Sequence, residues 1–309
     1  MLTKHRGEFL LALGALFFSM SGLVVTVILK HLPAFRLAEV RSVSAVLILG
    51  TYVLLTRPEI IKFKLSELRG LATYGVVGFA LVNFGYLLGI QRGVPLGLVL
   101  IIEFTAPIWI ALWIKIVRKG FVANQMWFAV LLSLIGLILI SQVWEGFKFD
   151  LIGITAAVLC AFALAAYFLM SERIGKNREP IATLIFGMGF ASIFWLVVLP
   201  PWSFPFDVFS TQMDLGGIAV GTMLPGWVLI GIAAIFGTVV PYMLVLTGMR
   251  VLTASTSSVI GMLEPVMAGV FAWIWFAQSW NFVQLIGAAI VLVGIYLADR
   301  AKTVKQEKS

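Results

Sequence analysis

The feature that most constrains this chain is a rhythm. Long apolar runs recur ten times, separated by links that carry most of the charge. A bilayer's hydrocarbon core is about 30 Å thick and takes roughly 20 helical residues to cross. A helix also satisfies its own backbone in lipid, which other open structures cannot do. The runs fall at approximately 8–29, 35–56, 70–91, 94–117, 124–144, 151–171, 181–199, 226–248, 252–276 and 280–298. Composition points the same way: 61% of residues are hydrophobic, 12% are charged, and mean hydropathy is +1.07. A soluble domain carries about 25% charged residues. Too little polar surface exists for water, which excludes a soluble enzyme, a soluble nucleic-acid binder and a disordered scaffold. A single cysteine, Cys160, rules out an intrachain disulfide.

Four segments need a separate reading. Lys4, His5 and Arg6 ahead of an apolar run resemble the start of a signal peptide. The run is long enough to cross, and nine more follow, so an uncleaved first helix is expected. In the second run, Arg36, Glu39 and Arg41 crowd the first turns, so the span either includes them or begins after them. The 200–225 link opens with Pro200, Pro201 and Trp202 and holds Phe204, Phe206 and Phe209, which suits the membrane interface. The segment Arg57–Arg69 mixes apolar residues with charges and is expected to form a short interfacial helix.

Orientation follows from lysine and arginine. With an internal N-terminus, one side collects Lys4, Arg6, Arg57, Lys62, Lys64, Arg69, Lys115, Arg118, Lys119, Arg173, Lys176, Arg178, Arg250, Arg300, Lys302, Lys305 and Lys308. The other collects only Lys30, Arg36, Arg92 and Lys148, with Arg41 inside a span. Seventeen against four predicts both termini on the cytoplasmic side of a cell (inner) membrane. Dispersal of the charge over many links also excludes a nucleic-acid partner, despite a net charge of +8.

The chain repeats itself. An offset of 158 carries Arg92 onto Arg250, Pro107 onto Pro265 and Gly136 onto Gly294. Earlier in each half the offset is 146 or 147, carrying Gly7 onto Gly153, Lys30 onto Lys176 and Pro33 onto Pro180. The 200–225 link can absorb the difference. Five spans is an odd number, so the second copy enters the membrane from the opposite side. The expected fold is therefore all-α, with ten transmembrane helices in two inverted five-helix repeats. The expected units are 1–148 and 149–300, with a basic tail at 301–309. Inverted repeats are typical of secondary transporters, with the substrate site near the midplane where the halves meet.

At this point the chain resembles the drug/metabolite transporter superfamily, in its ten-helix EamA-type branch, over roughly residues 7–299. The resemblance rests on the stretch from Tyr86 through Gly89 to Gly93, on Ala163–Arg173 around Tyr167, and on Leu263, Glu264 and Pro265. Two departures stand out: Phe18 and Ser19 replace a Trp-Gly pair, and a Glu-Pro pair is split into Glu103 and Pro107. The resemblance implies a central cavity lined by the first, third, fourth, sixth, eighth and ninth spans. It also implies small organic metabolites as cargo, amino acids or related compounds foremost, commonly exported. The alternative is import of a vitamin, nucleoside or cationic compound, with a buried glutamate as counter-charge or proton site.

The candidate substrate-binding residues are Ser19, Asn83, Tyr86, Glu103, Tyr167, Tyr242 and Glu264. Charged groups within a membrane cost at least about 2.5–3.5 kcal/mol each, so Glu103 and Glu264 either serve a cavity or lock neighbouring helices. Asn83 and Tyr86, three residues apart, share a helix face, and Tyr167 and Tyr242 are placed to face them. Each of these is equally readable as an interhelical hydrogen bond. Ser19 and Ser21 are readable as packing residues. Glu39 and Arg41 are expected to pair with each other or with headgroups near the external face, with a role in transport as the alternative. Trp109 and Trp113 read as core or lipid-facing. Gly89, Gly93 and Gly97 suit close helix packing or a tight turn with a break near Pro95. No nucleotide-binding loop is present. His5 and His31 cannot make a metal site, and no catalytic motif occurs. The expected partners are a small-molecule substrate, lipid and protons, with no cofactor, in a monomer or homodimer.

Overall fold

A computed structural model of the chain describes residues 3–94, 96–142, 150–277 and 280–306. Pro95, Lys148, the expected 148/149 junction and the end of the basic tail lie outside these residues. Among the described residues, ten helices are long and apolar enough to cross a membrane. They are α1 (Lys4–Ile28), α2 (Ala34–Thr56), α3 (Leu65–Gln91), α4 (Gly97–Ile116) and α5 (Asn124–Ser141), followed by α6 (Leu151–Ile174), α7 (Pro180–Val198), α8 (Gly226–Gly248), α9 (Ala254–Phe276) and α10 (Phe282–Ala301). Each expected run coincides with one helix, with ends displaced by a few residues. α2 begins at Ala34, so Arg36, Glu39 and Arg41 lie within the helix rather than ahead of it.

Two links differ from expectation in detail. From the end of α2 into the first turn of α3 the chain makes two short 3₁₀ turns, Pro58–Ile61 in the link and Leu65–Glu67 at the start of α3, instead of one interfacial helix. Pro58 sits at the start of the first turn, where its missing N–H costs no bond. Between α7 and α8, residues 200–225 fold into 3₁₀ turns and a small antiparallel hairpin. Its strands are β1 (Gln212–Asp214) and β2 (Met223–Pro225), with Met213 opposite Leu224. Met213 is fully buried with Val208 against Val27, Ile28, Leu229 and Ile230, so the hairpin caps the ends of α1 and α8. Asp214 accepts from the backbone N–H groups of Gly216 at 2.8 Å and Gly221 at 3.0 Å. Those bonds hold its carboxyl below the usual carboxylate range.

The repeat is visible as duplicated contacts. Where α1 meets α8, a Cβ added at Gly248 would lie 2.7 Å from the Gly7 carbonyl oxygen. The offsets of 146 and 159 carry this pair onto Gly153 and Gly89, which meet where α6 packs on α3. α5 and α10 pair with each other in the same way. Gly136 abuts Gly287 and Val291, and the counterpart Gly294 abuts Ala129 and Ser133, each displaced by 158. Small residues let these backbones approach closely, as membrane helices require.

Four helices depart from regular α geometry, again in matched pairs. α3 contains a π-helical turn at Val76–Leu81 and α8 one at Ile235–Val239. α4 breaks between Glu103 and Ala106, and α9 between Gly261 and Leu263. Gly78 in the first bulge packs on Tyr167 of α6, and Gly237 in the second packs on Ser21 of α1. Tyr167 and Ser21 are themselves 146 apart. Irregular backbone inside a membrane is tolerated where it is buried in protein or lines a cavity. Here it does both.

Candidate functional site

The two bulges and two breaks surround a cavity of about 250 Å³. Its walls come from α1 (Leu11, Ala15, Phe18, Ser21, Gly22, Val25), α3 (Gly78, Val82, Asn83, Tyr86) and α4 (Leu100, Glu103, Phe104). α6 adds Leu164, Tyr167 and Phe168; α8 adds Tyr242 and Val245; α9 adds Ser257, Gly261 and Glu264; and α2 contributes Arg41 alone. Drug-sized pockets run from about 300 to 1,000 Å³, so this space suits a metabolite of modest size.

Exposure grades along the cavity. Leu11, Ala15, Tyr167, Phe168, Val245 and Ser257, towards the membrane face that carries the N-terminus, are all buried. Gly22 is exposed, and Val25, Tyr86 and Leu100, towards the other face, are partly so. The first group forms a floor and the second a mouth. Aromatic rings seal the floor. Tyr74 and Phe79 meet edge to face at 5.2 Å, Tyr74 stacks on Tyr167 at 6.2 Å, and Tyr242 lies 5.0 Å from Phe79 and 4.9 Å from Phe18. A hydrogen bond of 2.9 Å between the Tyr74 and Ser171 hydroxyls closes the gap between α3 and α6 beneath them.

The charged groups belong to different elements. Glu103 ends the first half of α4, and Glu264 sits in the first turn of the second half of α9. Arg41 reaches in from α2, where its Nε donates to Thr238 Oγ1 at 2.8 Å and its Nη2 to the Gly237 carbonyl. Gly237 and Thr238 lie in the α8 bulge, so the guanidinium satisfies backbone that the π turn leaves without a regular partner. Asn83 does the same for the α3 bulge, donating from Nδ2 to the Phe79 carbonyl at 2.8 Å.

Six of the seven expected residues (Asn83, Tyr86, Glu103, Tyr167, Tyr242 and Glu264) line this one cavity. Ser19 does not. It is buried, and its hydroxyl faces the carbonyls of Ala15 at 2.7 Å and Glu264 at 2.8 Å, tying α1 to the break in α9. Its neighbour Ser21 lines the cavity instead. Glu39 and Arg41 do not pair. Glu39 binds Arg36 at 2.6 Å, both side chains buried, and Arg36 also reaches the carbonyls of Leu199 and Pro200 below the hairpin link. Trp109 donates to Thr105 Oγ1 at 3.1 Å beside the α4 break, while Trp113 is exposed on the outer surface.

Besides Ser21, two polar lining residues stood outside the seven candidates. Arg41 is one, and its position inside a span was the signal. Ser257 is the other: its Oγ is buried with no hydrogen-bond partner among the described residues, and the Tyr167 hydroxyl is in the same condition. Ser171 lies close to Tyr167 but is engaged by Tyr74. Buried polar atoms are nearly always bonded, and these two hydroxyls lie on one cavity floor. Nothing in a serine-rich stretch such as Ser255–Ser258 distinguishes Ser257 from its neighbours by sequence alone.

A ring-sealed, largely apolar cavity that carries a few charged and polar side chains, inside a ten-helix inverted repeat and bounded by discontinuous helices, defines a membrane transporter. Comparison with known proteins gives the family. The EamA-like transporter family matches residues 5–142 and again 151–298, and the chain belongs to it. The chain is 24% identical over 269 residues to a Bacillus subtilis protein described as the uncharacterized transporter YdfC, covering 86% of this chain and 80% of that one. It is 28% identical over 265 residues to the Escherichia coli threonine/homoserine exporter RhtA, covering 84% and 81% respectively. A solved crystal structure shares the fold at a TM-score of 0.75 with 16% identity, covering 96% of this chain and 98% of that one.

Proposed function

We propose that this protein is a secondary transporter that exports small zwitterionic metabolites, amino acids and related compounds, across the cytoplasmic membrane by alternating access. The observation that carries this reading is the pairing of opposite charges on one small cavity: Arg41 on one wall, Glu103 and Glu264 on others. A carboxylate docks at Arg41, an ammonium at the glutamates, and Asn83, Tyr86, Tyr167 and Tyr242 surround the remaining side chain. Tyrosines suit such cargo because they offer a ring with a polar tip. The Ser257 and Tyr167 hydroxyls gain the partner they lack. Ser19 acts through the α9 break, holding Glu264 in place. On this reading both termini lie in the cytoplasm, as the excess of basic residues on those links favours, and the mouth faces outward; the similarity to a protein named as a threonine/homoserine exporter supports a metabolite as cargo.

Purified protein in liposomes, loaded with labelled threonine or homoserine and diluted into unlabelled amino acid, should exchange the label. Arg41→Gln should slow exchange at least about thirtyfold, because removing one partner leaves buried charge uncompensated. Unchanged exchange in that variant would overturn the zwitterion reading. The two carboxylates outnumber the single guanidinium, which favours one other cargo, an organic cation taken up against Glu103 or Glu264. Exchange of a quaternary amine but of no amino acid would establish that reading instead. Proton coupling is tested in the same liposomes. If a glutamate carries protons, a pH gradient drives accumulation, and Glu103→Gln or Glu264→Gln abolishes the drive; equal flux with and without the gradient would sink the idea.

A further inference from the structure

A second site lies on the outer wall, away from the transport cavity. An apolar groove of about 430 Å³ runs between α2 and α7, walled by Val43, Leu47, Ile185, Phe190, Ile193 and Leu196. Along α7 it extends from Ile185 to Leu196, about 16 Å at 1.5 Å per residue. That is close to half of a hydrocarbon core about 30 Å thick. The groove is open at Gly189, where an added Cβ would meet nothing within 4 Å.

The end of the groove nearer the N-terminal face is closed by Phe186. The Phe63 ring packs edge-on to it at 5.5 Å, and the Arg178 guanidinium lies 4.9 Å above its centre. Arg178 and Phe63 also wall a polar pocket of about 490 Å³ that contains Lys62 and Lys64. The acids of that pocket are already engaged. Glu67 binds Arg178 at 2.9 Å, and Glu179 binds Arg57 at 3.2 Å. Among the described residues no ion pair holds Lys62 or Lys64. Phe63 and Leu65, between and beside these lysines, are exposed, which sets the segment at the level where headgroups meet acyl chains.

We propose that pocket and groove form one binding site for an anionic phospholipid of the leaflet on the N-terminal face. The headgroup phosphate sits at Lys62 and Lys64, and one acyl chain lies in the α2–α7 groove. Charge complementarity selects the headgroup, and the groove's length selects a chain anchored in that leaflet. Arg178 joins the two parts, since one side of its guanidinium covers the Phe186 ring and its amines face the pocket.

The full chain in detergent, titrated with dioleoylphosphatidylglycerol or dioleoylphosphatidylcholine, tests this by native mass spectrometry and thermal shift. The phosphatidylglycerol should be retained preferentially and should raise Tm. Lys62→Gln with Lys64→Gln should cut the preference by about thirtyfold, at roughly 1 kcal/mol per lysine. Gly189→Leu fills the groove without meeting another atom at its Cβ, and should weaken retention of both lipids alike. Equal retention of the two lipids by the unaltered protein would overturn the proposal. So would phosphatidylglycerol preference surviving the double lysine change, or stabilisation of equal size by inorganic phosphate alone. Cross-linking of Ile193→Cys to a second copy, undiminished by added lipid, would assign the groove to a dimer and likewise refute it.

Discussion

Arg36 and Arg41 sit five residues apart on α2 and have opposite roles. Arg36 is spent on Glu39 and on the carbonyls that end α7, while Arg41 enters the cavity and supports the α8 bulge. Helical spacing could have separated them. Residues two apart point to different faces and residues three apart share one, so Glu39 was free to meet Arg36 and not Arg41. Glu39→Gln should therefore lower stability, by roughly 3–5 kcal/mol if Arg36 is left as an uncompensated buried charge, with no change in substrate preference. Thermal unfolding alongside the exchange assay would show the division. Ser257 gives the converse. Ser257→Ala removes a buried hydroxyl that has no partner among the described residues, so the empty protein should be no less stable. The stabilisation conferred by bound substrate should fall by about 0.5–1.5 kcal/mol, the net worth of one hydrogen bond. Orphan hydroxyls of this kind are invisible in a sequence, because what makes them orphans is the position of everything around them.

The helices themselves were legible, and their irregularities were not. Hydrophobic length is additive along a chain, so ten runs announce ten helices whatever the packing. A π turn inserts one residue without changing composition, and neither Val76–Leu81 nor Ile235–Val239 differs in residue type from its surroundings. The breaks in α4 and α9 left a partial trace in Pro107 and Pro265, each a few residues beyond the interruption. The α5–α10 pair offers a contrast to the cavity helices. A Cβ at Gly136 would lie 2.6 Å from the Gly287 carbonyl oxygen, backbone that cannot swing aside. Gly136→Val should cost on the order of 1–3 kcal/mol of stability, read as a lower Tm, while substrate affinity per folded molecule stays unchanged because neither helix lines the cavity.

At the scale of the whole molecule, the repeat was readable and the conformation was not. The two halves share matched contacts, so under the proposed alternating access a sequence describes either state equally well. The structure shows one of them. Val25 partly lines the mouth, whereas its counterpart Ser171 is buried under Tyr74, and exposed Gly22 corresponds to buried Phe168. Cysteine labelling checks this directly, since Cys160 is fully buried. Gly22→Cys should react with a membrane-impermeant maleimide added on the side away from the N-terminus, and substrate should slow it. Ser171→Cys should resist the reagent on either side until transport begins. Rapid labelling of Ser171→Cys in the resting protein would show the floor to be open.

The paired bulges also constrain how this chain can change over generations. One inserted residue turns everything beyond it by about 100° around the helix axis, given 3.6 residues per turn. Asn83 and Tyr86 on α3, and Tyr242 and Val245 on α8, face the cavity only because of that added phase. Deleting a single residue from one bulge would swing its half of the lining towards lipid and leave the other half in place. Both insertions are therefore needed together for the two halves of the lining to face one cavity.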